Sequence, residues 1–146
     1  MLCRLIYISE VVPPFSFGGV QAILEKAQRN NPALDITGLL VMASHRFLQV
    51  IEGPSRNVNL LYRKISGDPR HRNCSLVEFG QIPSRLFDAW AMRAIHPGLM
   101  NQQLRSLLAR KYGVDADGSL MVPDQPFAAT SFLFDIARSD GLSAES

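Results

Sequence analysis

Hydrophobic and polar positions change period several times along the chain, and each change marks an element. Leu2–Ser9 carries branched and aromatic residues without Gly or Pro. Leu5, Tyr7 and Ser9 share one face and Ile6 and Ile8 the other, the period-two pattern of a strand. A loop follows, marked by Pro13–Pro14 and Gly18–Gly19 and carrying Phe15 and Phe17. Val20–Asn30 reads as a helix with Ile23, Leu24 and Ala27 on one side and Lys26 and Arg29 outside. Asn30 or Asn31 is expected to end it in a left-handed conformation, just before Pro32. Ile36–Met42 and Phe47–Glu52 are strands around a short Ala43–Arg46 turn, and so a hairpin. Gly53–Pro54–Ser55 opens a second helix, with Ser55 the expected cap and Val58, Leu61 and Ile65 at helical spacing. Gly67–Asp68–Pro69 closes it, and Leu76–Gln81 and Ala89–Ile95 read as two more strands.

The order is β-α-β-β-α-β with one added strand. This is an α+β fold with a ferredoxin-like core, one sheet carrying both helices on one face. The added strand fits either an edge or a place beside a central strand. Past Pro97 the pattern is helical: Leu99–Tyr112 with Leu104, Leu107 and Leu108, then a loop over Gly113–Pro126, then Phe127–Arg138 with Phe132, Leu133, Phe134 and Ile136. The tail Ser139–Ser146 is polar and expected to be loose. These two C-terminal helices are expected to cover the second face of the sheet, leaving some of Phe127, Phe132 and Phe134 for an oligomer or a partner.

Composition narrows the function classes. The chain has 146 residues, 47% hydrophobic and 19% charged, enough apolar material for one core. Net charge is only +2 and the charges are mixed, so there is no basic stripe for nucleic acid; Arg70–His71–Arg72 reads as a solvated loop. Cys3 and Cys74 lack metal-ligand spacing, as do His45, His71 and His96, so no metal is assigned. The first residues turn polar too soon for a signal peptide, and no run reaches membrane-spanning length. A soluble cytoplasmic protein is expected, with no nucleic acid and no membrane as partners.

Four groups of residues sit oddly in a plain core. Gln49 lies in Phe47–Ile51, otherwise a buried strand, where its carboxamide needs partners for two donors and an acceptor. Tyr7 lies on the first strand, and first and third strands are central neighbours in this topology, so Tyr7 and Gln49 can meet on the helix-covered face. Asn30 and Asn31 fall seven residues after Ile23 and Leu24, near the apolar stripe of the first helix. Trp90 and Met92 share one face of the expected last strand. Each has a bland reading as satisfied structure or ordinary core. Together they supply the donors and acceptors that suit a planar heterocycle with imide-like edges.

In this arrangement the chain resembles the BLUF family, sensors of blue light using FAD. The likeness runs over residues 1–96. It is carried by Arg4–Ser9, Arg29–Pro32, Ile36–Leu40, Arg46–Pro54, Asp68–Arg72 and Phe87–Met92, in order and at the expected spacings. It implies a flavin-binding domain over 1–96 and a C-terminal helical extension over 97–146 packing on the sheet. The implied cofactor is FAD, with FMN or riboflavin as alternatives, held without a covalent bond. It implies that Tyr7 is the photochemical electron and proton donor and that Gln49 is the switching glutamine. Asn31 and Asn30 would contact the ring, Lys64, Asp68, Arg70 and His71 the C2 carbonyl and the ribityl or phosphate end, and Trp90 and Met92 would relay the signal. Ala27 stands where some members have serine. The implied protein is not an enzyme; it resembles short stand-alone members that form homo-oligomers and act through a separate signalling protein. Two rivals share the strand order. An acylphosphatase-like hydrolase needs a phosphate-cradling loop that this chain lacks, and an RNA-binding module needs an aromatic sheet face, which Leu48 and Val50 on one side and Phe47, Gln49 and Ile51 on the other do not make.

Overall fold

An apolar run broken only by Arg4, Ser9 and Glu10 makes Leu2–Val11 the first strand, β1, and burial on both of its faces fits its place inside the sheet. The computed structural model describes residues 1–14 and 16–142; Phe15, the side chain of Ile23 and the tail from 143 onward, on which expectations were placed, lie outside the described residues. Helix α1 (Phe17–Asn30) starts one turn earlier than the sequence suggests, because the Ser16 hydroxyl accepts from the Gly19 N–H and draws Gly18–Gly19 into the helix. Neither Asn30 nor Asn31 turns left-handed. The chain continues through a 3-10 turn, Asn31–Leu34, whose first positions tolerate Pro32, and Asp35 takes the left-handed conformation at φ 55°.

Strands β2 (Thr37–Ala43) and β3 (Arg46–Pro54) form the expected hairpin. Ser44 and His45, at φ 55° and 61°, make its tight two-residue turn. Helix α2 (Ser55–Ser66) has Pro54 at its N-cap position and no side-chain cap; Ser55, the expected cap, is its first residue, and its N–H donates to the Met1 carbonyl. Strand β4 (His71–Gln81) is longer than expected and takes in His71 and Arg72, which are therefore not a solvated loop. Register shifts against β1 and a left-handed Asn73 let the extra residues fit.

The last strand, β5, is only Arg93–Ile95, not Ala89–Ile95. Preceding backbone groups are met outside any ladder: Glu52 takes the Leu86 and Phe87 N–H groups, while Asn31 and Gln28 donate to the Ala91 and Met92 carbonyls. The sheet order is β4-β1-β3-β2-β5, with β5 parallel to β2 at an edge and the other pairs antiparallel. The four-strand core is the ferredoxin-like arrangement, and the added strand extends it beyond β2.

The two faces of the sheet bury separate cores. On one, Leu5, Tyr7, Leu40, Phe47 and Ile51 pack under Val20 and Leu24 of α1 and Val58 of α2. On the other, Ile6, Leu39, Val41, Leu48 and Val50 meet Leu104 and Leu108 of α3 (Gln102–Tyr112) and Ala129, Phe132, Leu133 and Ile136 of α4 (Pro126–Ala137). Helix α3 begins after a 3-10 turn at Pro97–Leu99, capped by the Asn101 side chain accepting from Leu104 N–H at 2.9 Å. Phe134, expected as surface, is half-buried against the Phe87 ring with the Arg138 guanidinium across it; Phe127 is the residue left open, at 88% exposure.

Candidate functional site

Between the sheet and its first two helices lies a cavity of about 160 Å³. Val20, Leu24 and Ala27 of α1 form one wall and Leu61 and Ile65 of α2 the other; the floor is Tyr7, Leu40, Phe47, Gln49 and Met92. Asn31 stands at one end, and Asp68, Arg70 and His71 at the other.

The floor is set by strand register. Tyr7 of β1 lies directly opposite Gln49 of β3, and both side chains are buried. The Tyr7 hydroxyl donates to Gln49 Oε1 at 2.5 Å, and Gln49 Nε2 donates to Met92 Sδ at 3.3 Å. A charge-free chain phenol–amide–thioether thus crosses the floor. Burial pushes the Tyr7 phenol well above its ordinary value of 10.0, and Cys74, Tyr62 and Asp68 add to the rise, so Tyr7 is a neutral proton donor. The ring of Tyr62 lies 5.7 Å from that of Tyr7, and its own phenol is pushed up to about 12 by burial and the Cys74 contact.

At the far end, His71 Nε2 bonds the Ile65 carbonyl at 2.5 Å and Nδ1 bonds Ser9 Oγ at 2.7 Å. Only an N–H can meet a carbonyl, which places the proton on Nε2 and makes Ser9 the donor to Nδ1 when the ring is neutral. Asp68 and Arg70 form an ion pair whose hydrogen bonds hold the Asp68 carboxyl below its ordinary value. Asn31 is buried, and its Nδ2 donates to the Ala91 carbonyl at 2.8 Å.

Several expected site residues do not come together. Asn30 and Lys64 are exposed and are not among the residues lining the cavity. Trp90 and Met92 do not share a face. Met92 is buried in the cavity floor, whereas Trp90 packs against the apolar cluster on the other side of the sheet, under the Arg93 guanidinium. The alternation that pairs positions two apart fails because residues 90 to 92 are not a strand. Residues outside the sequence-based set include Ser9, the wall residues of both helices, and Gln28, whose Nε2 donates to the Met92 carbonyl at 2.8 Å. Ser9 was visible as a strand position on the Tyr7 face; nothing in the sequence marked Gln28.

Behind the floor, Glu52 is wholly buried. It accepts from Arg4 Nε at 2.9 Å and from the Leu86 and Phe87 N–H groups, while Arg85 bonds Thr37 Oγ1 and the Asp35 and Glu52 carbonyls. This anchors the segment that carries Met92.

The donor set fits a flavin: apolar walls for the faces of a flat ring, neutral hydrogen-bonding groups on the floor and beside Asn31, and the Asp68–Arg70 ion pair with His71 at the other end. Fold and cavity together give an α+β domain with an apolar cavity whose floor carries a tyrosine–glutamine pair. The family model for sensors of blue light using FAD matches residues 2–93, and the chain belongs to this family, BLUF. Its members are flavin-binding blue-light sensors that signal to partner proteins. The chain is 38% identical over 92 residues to the photoactivated adenylate cyclase subunit beta of Euglena longa, covering 62% of this chain and 11% of that protein. It is 34% identical over 87 residues to the blue light- and temperature-regulated antirepressor BluF of Escherichia coli, covering 60% of this chain and 22% of that one. It thus spans only a small fraction of these curated relatives. The dark-state structure of the BLUF protein BlrB superposes with a TM-score of 0.72 at 30% identity, covering 93% of this chain and 95% of that one.

Proposed function

We propose that this chain is a non-enzymatic blue-light sensor that holds FAD non-covalently in the cavity between α1, α2 and the sheet, and that Tyr7 and Gln49 are its switch. The observation that carries this reading is the short Tyr7–Gln49 bond on the floor of an apolar cavity, with Asn31 beside it. A bound flavin supplies the absorption of blue light and an excited ring that draws an electron from a close donor.

Tyr7 is the donor. It is neutral, buried and part of the floor, and an oxidised phenol is strongly acidic. Its proton has one short path, to Gln49 Oε1 at 2.5 Å. When the electron returns to Tyr7 a proton returns with it and the neutral phenol is restored; Gln49 is left rotated or tautomerised, with its Nε2 bond to Met92 Sδ given up. The changed Gln49 carboxamide would then offer a bound flavin a different hydrogen bond, which would shift its absorption to the red. Asn31 holds the ring edge, and Asp68, Arg70 and His71 take the ribityl or phosphate end. FMN or riboflavin would satisfy the same ring contacts. Output passes to a separate signalling protein from a homo-oligomer in the cytoplasm.

The test is direct. The purified protein is expected to be yellow, to shift its flavin bands red under blue light, to revert in the dark, and to release intact flavin on denaturation. A colourless protein that cannot be reconstituted with flavin would overturn the reading. Asn31→Ala is expected to weaken flavin retention, since it removes a polar partner from a buried site.

A further inference from the structure

Three successive carbonyls just before β5 are each held by a different donor. The Gly38 N–H of β2 takes the Trp90 carbonyl at 3.1 Å, Asn31 Nδ2 takes Ala91 at 2.8 Å, and Gln28 Nε2 takes Met92 at 2.8 Å. Gln28 and Asn31 are three residues apart across the junction of α1 and the 3-10 turn, and both amides reach the same segment. The segment is therefore suspended between the sheet and the helix.

Met92 is the residue at which these restraints meet the switch. Its sulfur accepts from Gln49 Nε2 at 3.3 Å, and a thioether is a weak acceptor. That contact alone holds the side chain poorly. The carbonyl bond from Gln28 restrains the backbone from which the sulfur is carried, and it does not depend on Gln49.

We propose that Gln28 is a positioning residue that sets the rate of dark recovery by anchoring Met92 while the sulfur lacks its Gln49 donor. The proposal rests on the reading of Gln49 as the switch. With the anchor, Met92 Sδ stays where the returning carboxamide finds it. Without the anchor, the segment has to be brought back before Gln49 can regain its partner, and recovery slows. Gln28 is itself exposed and does not line the cavity, so its removal leaves walls and floor intact.

Three variants isolate the bond. Gln28→Ala removes the amide, Gln28→Glu keeps the shape but presents a carboxylate that cannot donate, and Gln28→Lys keeps an N–H donor of similar reach. Dark recovery of the flavin bands is expected to slow about fivefold in the Ala and Glu variants, the scale of one neutral hydrogen bond. The size of the red shift should be unchanged, and the Lys variant should recover at the parent rate. A second readout needs no photocycle: in dark protein labelled at the methionine methyls, the Met92 resonance should move and broaden in Gln28→Ala and Gln28→Glu but not in Gln28→Lys. Parent-like recovery in both donor-less variants, or a Lys variant as slow as Ala, would overturn the proposal. A parent that shows no light-induced shift counts against the photoreceptor reading instead, and the methyl spectra still decide whether Gln28 anchors Met92.

Discussion

The two faces of the sheet bury polar groups of different kinds. On the cavity face they are neutral: Ser9, Asn31 and Gln49. On the face covered by α3 and α4 they are charged: Glu52, met by Arg4 and two backbone N–H groups, and Arg93, stacked on Trp90. A neutral hydrogen bond has a net worth of about 1 kcal/mol, so one partner can replace another at small cost. A buried ion stripped of its partner costs several times that. The cavity face is therefore suited to exchanging bonds, and the opposite face to holding still. The apolar filling agrees: the cavity face leaves open space, and the other closes around Leu108, Phe132, Leu133 and Ile136, all at 0% exposure.

The comparison breaks most readily where the closed face is hollowed out. Phe132→Ala should lose about 3–5 kcal/mol in denaturant unfolding, the range for deleting a buried ring; a loss under about 1 kcal/mol would mean that this face is not the stabilising one. Glu52→Ala comes next, at about 3 kcal/mol, because it leaves Arg4 and the Leu86 and Phe87 amides without their acceptor. Limited proteolysis should then cut first in the segment between β4 and β5. On the cavity face the ranking of stability and function reverses. Tyr7→Phe and Gln49→Leu should each change unfolding free energy by no more than about 1.5 kcal/mol, retain flavin, and abolish the reversible red shift; a variant that still photocycles like the parent does not lack a switch residue. The smallest effect is expected at Phe127→Ser, within about 0.5 kcal/mol, since this ring is 88% exposed. Its readout is size in dark and light: an altered assembly with an unchanged photocycle would make the start of α4 an output surface.

Much of the cavity face was legible in the sequence because its polar residues interrupt apolar strand faces. Tyr7 and Gln49 could be placed as neighbours from topology alone, and their register proved to be direct. What could not be read was any contact that replaces a ladder. Ala89–Met92 read as the start of a strand by composition, yet the backbone groups of residues 86 to 92 are met by Glu52, Asn31 and Gln28, some 34 to 64 positions away in sequence. That substitution sends Trp90 and Met92 to opposite sides of the sheet, where strand alternation predicts one. Phe134 was misplaced for a related reason. Helical spacing marks it as apolar, but only the fold shows Phe87 waiting to pack against it. Glu52 was visible in principle, as an acidic residue on the same strand face as Leu48 and Val50, and its burial follows from the centrality of β3.

The Tyr7–Gln49 register also bears on how such a domain can change over evolutionary time. The two residues meet only because β1 and β3 are aligned to the residue, and a slip of one position would turn either side chain to the opposite face. Substitutions around the cavity can retune it, but a single insertion or deletion inside β1 or β3 would separate the pair at a stroke. Length variation should therefore collect in the connections, such as the stretch between β1 and α1 or the loop from Gly113 to Gln125, and stay out of Leu5–Ser9 and Phe47–Ile51. What descends from one such protein to the next is less a pair of amino acids than a count of residues along two neighbouring strands.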